Sequence, residues 1–326
     1  MKIPFANEGS EGSEGSEGSE GSEGSEGSEG SSQSVAGISA YAGTRTSPLL
    51  AQALLTTYGE ITRGYLETPT PESTMVALDP VKSLGRWSRD VRAQIYHFEL
   101  VSKLAFDRAA PDSATLKSSD GKLAAKIDRP NFDKNAADLK TELDKVIKAA
   151  ALRADRMNEI LTQVPFAYSF FAMLLNLQPG RHRHTYELMS AALGLSRISV
   201  MQFKFHLAVR RPADRSPLVQ PVILTPSHGS FPAGHSTQAF LIAQLMKALV
   251  GNRLGPDLDK QLDNLAARIS ENRVVAGVHY PKDMEAGKKL GEELADWFIG
   301  RAKGTAGFDP APALGWLWTQ AAAEWP

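Results

Sequence analysis

Seven residues with the chemistry to bind and attack an anion fall between positions 204 and 283 of this 326-residue chain, in three short patterns. Lys204 is followed, after six residues, by Arg211-Pro212. Ser230-Phe-Pro-Ala-Gly234-His235 leads directly into an apolar run. Arg273, five residues, His279, three residues and Asp283 form the third. A tetrahedral oxyanion spreads negative charge over several oxygens and needs several fixed donors around it. Lysine offers a compact charge, and each arginine a planar fork that can bind two oxygens. Three cations brought to one point repel one another unless an anion lies between them.

The spacing assigns each group a place. Lys204 and Arg211 are seven apart, about two helical turns, so both can project from one helix face, with Pro212 ending that helix. Gly234 lets the main chain approach an anion closely. A helix from Ser236 to Leu249 would aim its free N–H groups and positive dipole end at the same point. His235, at the mouth of that turn, is placed for proton transfer to or from an apical oxygen. Tyr280-Pro281 reads as a helix entrance with proline at its first position. Asp283, four residues after His279, is placed to orient that imidazole, which serves as nucleophile or as metal ligand. Arg181-His-Arg-His184, after Gln178-Pro179-Gly180, reads as an exposed turn leading into a helix and stays outside the site.

In this order the patterns resemble the signature shared by the vanadium-dependent haloperoxidases, the type-2 phosphatidic acid phosphatases and the bacterial acid phosphatases. The resemblance is specific over about 201–287. It implies that Lys204, Arg211, Gly234 and Arg273 bind vanadate or phosphate and that His235 is the acid–base histidine. His279 would bond vanadium as its axial ligand, or attack phosphorus. One position departs from the family pattern: Ala233 stands where serine is usual, and a lost oxyanion donor typically costs about 2.7–4 kcal/mol of transition-state stabilisation.

Two features point within this group to the soluble bacterial haloperoxidase-like branch. The run Thr225-Pro-Ser-His-Gly-Ser-Phe-Pro, with Ser236-Thr-Gln-Ala after it, is similar to that branch. His228 lies seven residues before His235, where bromoperoxidases carry a second histidine that tunes halide use. The leading expectation is therefore a vanadate-dependent peroxidase oxidising bromide or iodide with hydrogen peroxide. The alternative is a phosphomonoesterase working through a phosphohistidine, and a third reading is a phosphate-binding helical module. The resemblance also implies a homodimer or larger assembly.

These residues need a scaffold, and the remaining sequence reads as helices. Apolar residues recur at helical spacing over Pro48–Leu66 and Val81–Ala109. Residues 111–135, with their prolines and Ser-Ser-Asp-Gly, read as an exposed loop. Ala136–Thr162 reads as one long amphipathic helix, and shorter helices follow to Val209. With no alternating strand of any length apparent, the expected fold is all-α, a bundle of roughly ten helices of the haloperoxidase and acid phosphatase type. Its catalytic domain would span 34–326, with the active site in 201–287.

Composition bounds the rest. Eight Glu-Gly-Ser triplets run from Glu8 to Ser31, and a segment with no apolar residue is expected to be disordered over 1–33. The whole chain holds 36 basic and 37 acidic residues. Residues 2–31 hold one lysine and eight glutamates, so 32–326 has a net charge of +6. That suits small anions and is too modest and unclustered for nucleic acid. There is no cysteine, so disulfides and thiolate metal sites are excluded. The start lacks the apolar stretch of a secretory signal, and no segment is long and apolar enough to span a bilayer. A soluble, cytoplasmic protein is the expectation.

Overall fold

The computed structural model describes residues 48–61, 63 and 79–325. Two units are distinguished along the chain, Met1–Ala77 and Leu78–Pro326. In the first, α1 spans Pro48–Ile61; most of the remainder of the expected Pro48–Leu66 helix lies outside the described residues. The Glu-Gly-Ser tail lies outside the described residues.

The second unit opens with α2 (Pro80–Ser83) and α3 (Arg89–Val101). Three strands follow, β1 (Leu104–Ala110), β2 (Ser113–Ser118) and β3 (Ala124–Asp128). The helices then run α4 (Ala136–Ala149), α5 (Arg153–Thr162), α6 (Tyr168–Leu175), α7 (Arg183–Leu207), α8 (Gly234–Val250), α9 (Leu258–Val275), α10 (Pro281–Ala302) and α11 (Pro312–Ala322). The fold is mostly helical, as expected. A single 3-10 turn, Ala150–Leu152, separates α4 from α5 where one long helix was read.

The three strands correct the expected helix end and loop at 104–128. They form an antiparallel meander in the order β1-β2-β3, with Ala114 paired to Ile127 and Leu116 to Ala125. Their inward residues are Ala114, Leu116, Ala125 and Ile127, all buried. The alternation is present in the sequence, but small side chains alternate with Thr and Lys, and the residues that suggested a loop are the turns. Pro111 sits between β1 and β2, and Gly121, at φ 70°, turns the chain from β2 to β3.

α8 is the central helix. Ala239, Leu241, Ile242, Ala243, Leu245 and Met246 are fully buried, so it is surrounded by other elements and has no solvent stripe along its middle. α10, α9 and α7 pack around it. The approach of α10 is close because of two glycines. A Cβ at Gly287 would stand 2.6 Å from the Ala233 carbonyl oxygen, and one at Gly291 2.5 Å from that of Thr237.

α7, 25 residues long, is held at both ends. At its start the Glu324 carboxylate accepts the backbone N–H groups of His184 and Thr185, each at 2.8 Å. At its end Arg129 Nε donates to the Leu207 carbonyl at 2.8 Å. His206 Nε2 lies 2.9 Å from the Ala110 carbonyl of β1, which ties the sheet to the same helix end. His182 and His184 are therefore buried, not exposed as expected. His182 packs on Trp325 with ring centroids 4.7 Å apart, and His184 Nδ1 lies 3.0 Å from Glu324. The segment does lead into a helix.

Because backbone cannot retreat as a side chain can, Gly291→Ala should destabilise the protein by about 1–3 kcal/mol. Thermal denaturation should show a fall of roughly 2–4 °C per kcal/mol lost. An unchanged melting temperature would mean that α8 and α10 are not in this contact.

Candidate active site

The three patterns converge on the starts of α8 and α10 and the ends of α7 and α9. Lys204 lies in the last turn of α7 and is 3% exposed. Its Nζ donates to the carbonyls of Gly229 at 2.8 Å and Ser230 at 2.6 Å. Burial, and then the neighbouring Arg211, bring its pKa down to about 7.

Arg211 reaches the same place by another route than expected. α7 ends at Leu207, and Ala208 follows at φ 45° in the left-handed region. Arg211 therefore lies off the helix, in extended backbone, and Pro212 opens a short 3-10 turn instead of ending a helix. The guanidinium is buried. Nη1 donates to the Val278 carbonyl at 2.7 Å and Nε to that of His228 at 3.1 Å. Asp214 Oδ2 accepts the Arg211 backbone N–H at 3.0 Å, a positioning contact that the sequence patterns do not include. The seven-residue spacing works because a turn after Leu207 carries Arg211 back toward Lys204's own partners.

Arg273, in the last turn of α9, is 1% exposed. Nη2 donates to the Ile160 carbonyl at 3.0 Å and to Gln163 Oε1 at 3.3 Å. Its Nε and Nη1 are buried with no partner. Buried guanidinium donors without an acceptor are expensive, and burial has already pulled this group's pKa down to about 10. Free donors of this kind suit an anionic acceptor.

His279 and Asp283 form a buried pair at the start of α10. Pro281 occupies the first position of that helix, as expected. His279 Nδ1 lies 2.8 Å from Asp283 Oδ2. The same oxygen accepts the Tyr280 N–H at 3.0 Å and the Ser230 hydroxyl. Burial raises Asp283 to about 6 and drives His279 well below its ordinary value, with the Lys204 and Arg211 charges adding to the second effect. At neutral pH the carboxylate is ionised and the imidazole neutral. Nδ1 then carries the proton, and Nε2 keeps its lone pair. Ser230 lies inside the second pattern, but nothing in its type or spacing marks it as a support for Asp283.

Ala233 is the N-cap of α8 and supplies no side-chain cap, so no N-cap side chain accepts the free N–H groups of the first turn. Gly234 opens the helix. His235 follows, with Nε2 2.9 Å from the Gln163 carbonyl and 3.2 Å from that of Val164. Those acceptors place its proton on Nε2 and leave Nδ1 as the basic nitrogen. Burial, followed by the Arg273 charge, lowers its pKa to about 4.

His228 is exposed, with Nδ1 3.3 Å from Arg211 Nη2. It lines a cavity of about 580 Å³ together with Met201, Phe205, Lys204 and Arg211. The cavity reaches the Lys204 and Arg211 side of the site. Arg273, His235 and His279 do not line it. All seven candidate site residues and His228 are thus brought to neighbouring element ends, while Gln163 enters as a residue outside every pattern.

No family model matches the chain, and no curated protein matches it. Among solved structures, one similar to it is the first transmembrane PAP2-type phosphatidylglycerolphosphate phosphatase, from Bacillus subtilis. It is 22% identical over 55% of this chain and 92% of that one, with a TM-score of 0.42. Among the described residues no helix is long and apolar enough to cross a membrane.

The depressed Lys204 pKa gives a signed expectation for anion binding. Tungstate keeps its charge from pH 6 to 9, and it binds the protonated lysine. Below about 7, where free Lys204 already holds its proton, the lysine should add no pH dependence. Above that value it should fall by up to about tenfold per pH unit, because binding must then take up a proton. Calorimetric titration at several pH values checks this, and affinity that rises with pH would remove Lys204 from the site.

Proposed function

We propose that the protein is a phosphoryl-transfer enzyme hydrolysing phosphomonoesters, with His279 as nucleophile. The observation that carries this is the neutral His279 imidazole. Its Nδ1 is fixed by Asp283 at 2.8 Å, in the same buried cluster as two guanidinium donors of Arg273 that have no partner.

The chemistry follows from these groups. Lys204, Arg211, Arg273 and the α8 N-terminus hold the phosphoryl oxygens, where charge accumulates in the transition state. His279 Nε2 attacks phosphorus as the bond to the leaving oxygen breaks, and Asp283 stabilises the imidazolium character that develops. The leaving oxygen takes a proton from His235. Burial, with the Arg273 and Lys204 charges behind it, holds His235 low in the free protein, and a bound dianion offsets the charges and raises its pKa. His235 then removes a proton from water, which attacks the phosphohistidine and releases phosphate with His279 restored.

A second reading is favoured by His228 at the cavity edge and by His235, a neutral base above about pH 4. The unpartnered Arg273 donors fit vanadate as well as phosphate. Lys204, Arg211, Gly234 and Arg273 would hold vanadate, with His279 Nε2 as its protein ligand. Bound vanadate would supply Lewis-acid activation of hydrogen peroxide toward bromide or iodide. His235 would be the group available to take a proton from peroxide.

Two assays on one preparation separate the readings: phosphate-ester hydrolysis without vanadate, and bromide oxidation with peroxide and added vanadate. The first should be positive under the leading proposal and the second under the alternative. Silence in both would leave a phosphate-binding module. In whichever assay responds, His279→Ala should lower the rate by about three orders of magnitude or more. Substantial residual activity would show that the third pattern has been misassigned.

A further inference from the structure

Gln163 follows the last residue of α5 and is fully buried. It touches two of the site's functional side chains. Its backbone carbonyl accepts His235 Nε2 at 2.9 Å, and its side-chain Oε1 accepts Arg273 Nη2 at 3.3 Å. Its Nε2 is buried with no partner.

The assignment of oxygen and nitrogen on this amide is fixed by its neighbours. Glu159 is held ionised, its pKa brought down to about 2, chiefly by its hydrogen bond with Arg268. A carboxylate only accepts, so the Asn272 atom 2.9 Å from Glu159 Oε2 must be the amide nitrogen. That nitrogen also lies 3.0 Å from the Gln163 side chain, which must therefore present its oxygen there. Arg273 Nη2, a donor with no accepting capacity, requires the same. Rotating the Gln163 amide by 180° would set donor against donor at both contacts. Nε2 is thus locked as a donor with nothing to donate to.

Such a group in a sealed interior is uncommon, and here it is not alone. Arg273 Nε and Nη1, on the guanidinium that Gln163 contacts, are also unpartnered donors. The free Gln163 donor therefore lies beside a guanidinium whose own free donors suit an anionic acceptor. The same chain lacks the serine hydroxyl at position 233.

We propose that Gln163 is an oxyanion-binding residue, its Nε2 donating to the anion held by Arg273 and supplying a donor that Ala233 does not. The inference rests on the oxyanion reading above and adds a residue from outside the three patterns. It also gives Gln163 a double place. The carbonyl sets the His235 tautomer while the amide senses whether the anion is present.

The test uses the full chain and tungstate, with calorimetry and side-chain amide NMR. Gln163→Met keeps the length and removes the donor, and should weaken tungstate binding about tenfold to a hundredfold. In the wild type, the Gln163 side-chain NH2 resonances, assigned by their loss in the variant, should shift strongly on tungstate saturation. A residue that merely braces Arg273 would leave them nearly in place. Wild-type binding with unmoved Gln163 NH2 resonances, or with affinity in Gln163→Met within twofold, would overturn the proposal and leave the oxyanion site standing. If Gln163→Met does not fold, Gln163→Asn, which draws the amide back by one methylene, provides both the assignment and the affinity comparison. No tungstate binding by the wild type would overturn the oxyanion reading itself.

Discussion

The interior holds more positive charge than it can neutralise by itself, and the local structure is organised around that fact. Lys204, Arg211 and Arg273 are buried, and the buried Asp283 carboxylate acts on the first two. Removing such charges from water costs several kcal/mol per ion even after relaxation. The chain offsets part of this with backbone dipoles. Carbonyls of Gly229 and Ser230 face Lys204, those of His228 and Val278 face Arg211, and that of Ile160 faces Arg273. The loop before α8, the last turn of α5 and the segment before α10 therefore have their paths dictated by the cations. Among the described site residues, the unpartnered buried atoms are Arg273 Nε and Nη1, Gln163 Nε2 and the acceptor Asp283 Oδ1.

The same burial explains why the pKa directions agree. Lys204, Arg211, Arg273, His235 and His279 are all lowered, and Asp283 alone is raised. In each case the first cause is desolvation. A dry pocket that depresses every base keeps both histidines neutral, so their lone pairs remain available. A bound dianion opposes the field of the cations, and a histidine left unprotonated in the free protein can then hold a proton. On the proposed mechanism, one environment serves nucleophile and acid in turn.

The sequence made the site legible where chemistry and local backbone coincide. Pro281, His279 and Asp283 lie within one turn of the start of α10, so their spacing in the chain is their spacing in space. Gly234 and His235 are similar. Arg211 was legible as a residue but not as a geometry, since a left-handed residue at Ala208 breaks the helix that the seven-residue spacing suggested. Gln163 was not legible at all. Its role follows from an amide orientation fixed through Asn272 and Glu159, residues 109 and four positions away in the chain, and no local pattern encodes such a relay. The meander at 104–128 was hidden for a different reason. Only Leu116 and Ile127 among its inward residues are large, with alanines between them, while Pro111 and Gly121 looked like the features of a loop.

The clamps on α7 have a consequence for angular phase. Lys204 projects from the side of a cylinder about 10–12 Å across, so turning the helix by roughly 10° about its axis swings the side chain by about 1 Å. Misplacements of that size can cost about a hundredfold in rate. Glu324 and Arg129 grip the two ends of α7 through its backbone N–H and C=O groups, and such bonds resist rotation as well as sliding. The ammonium's position is thereby set partly from the opposite end of a 25-residue helix. The helix acts as a torsion bar, and the residues that hold its far end belong, mechanically, to the site.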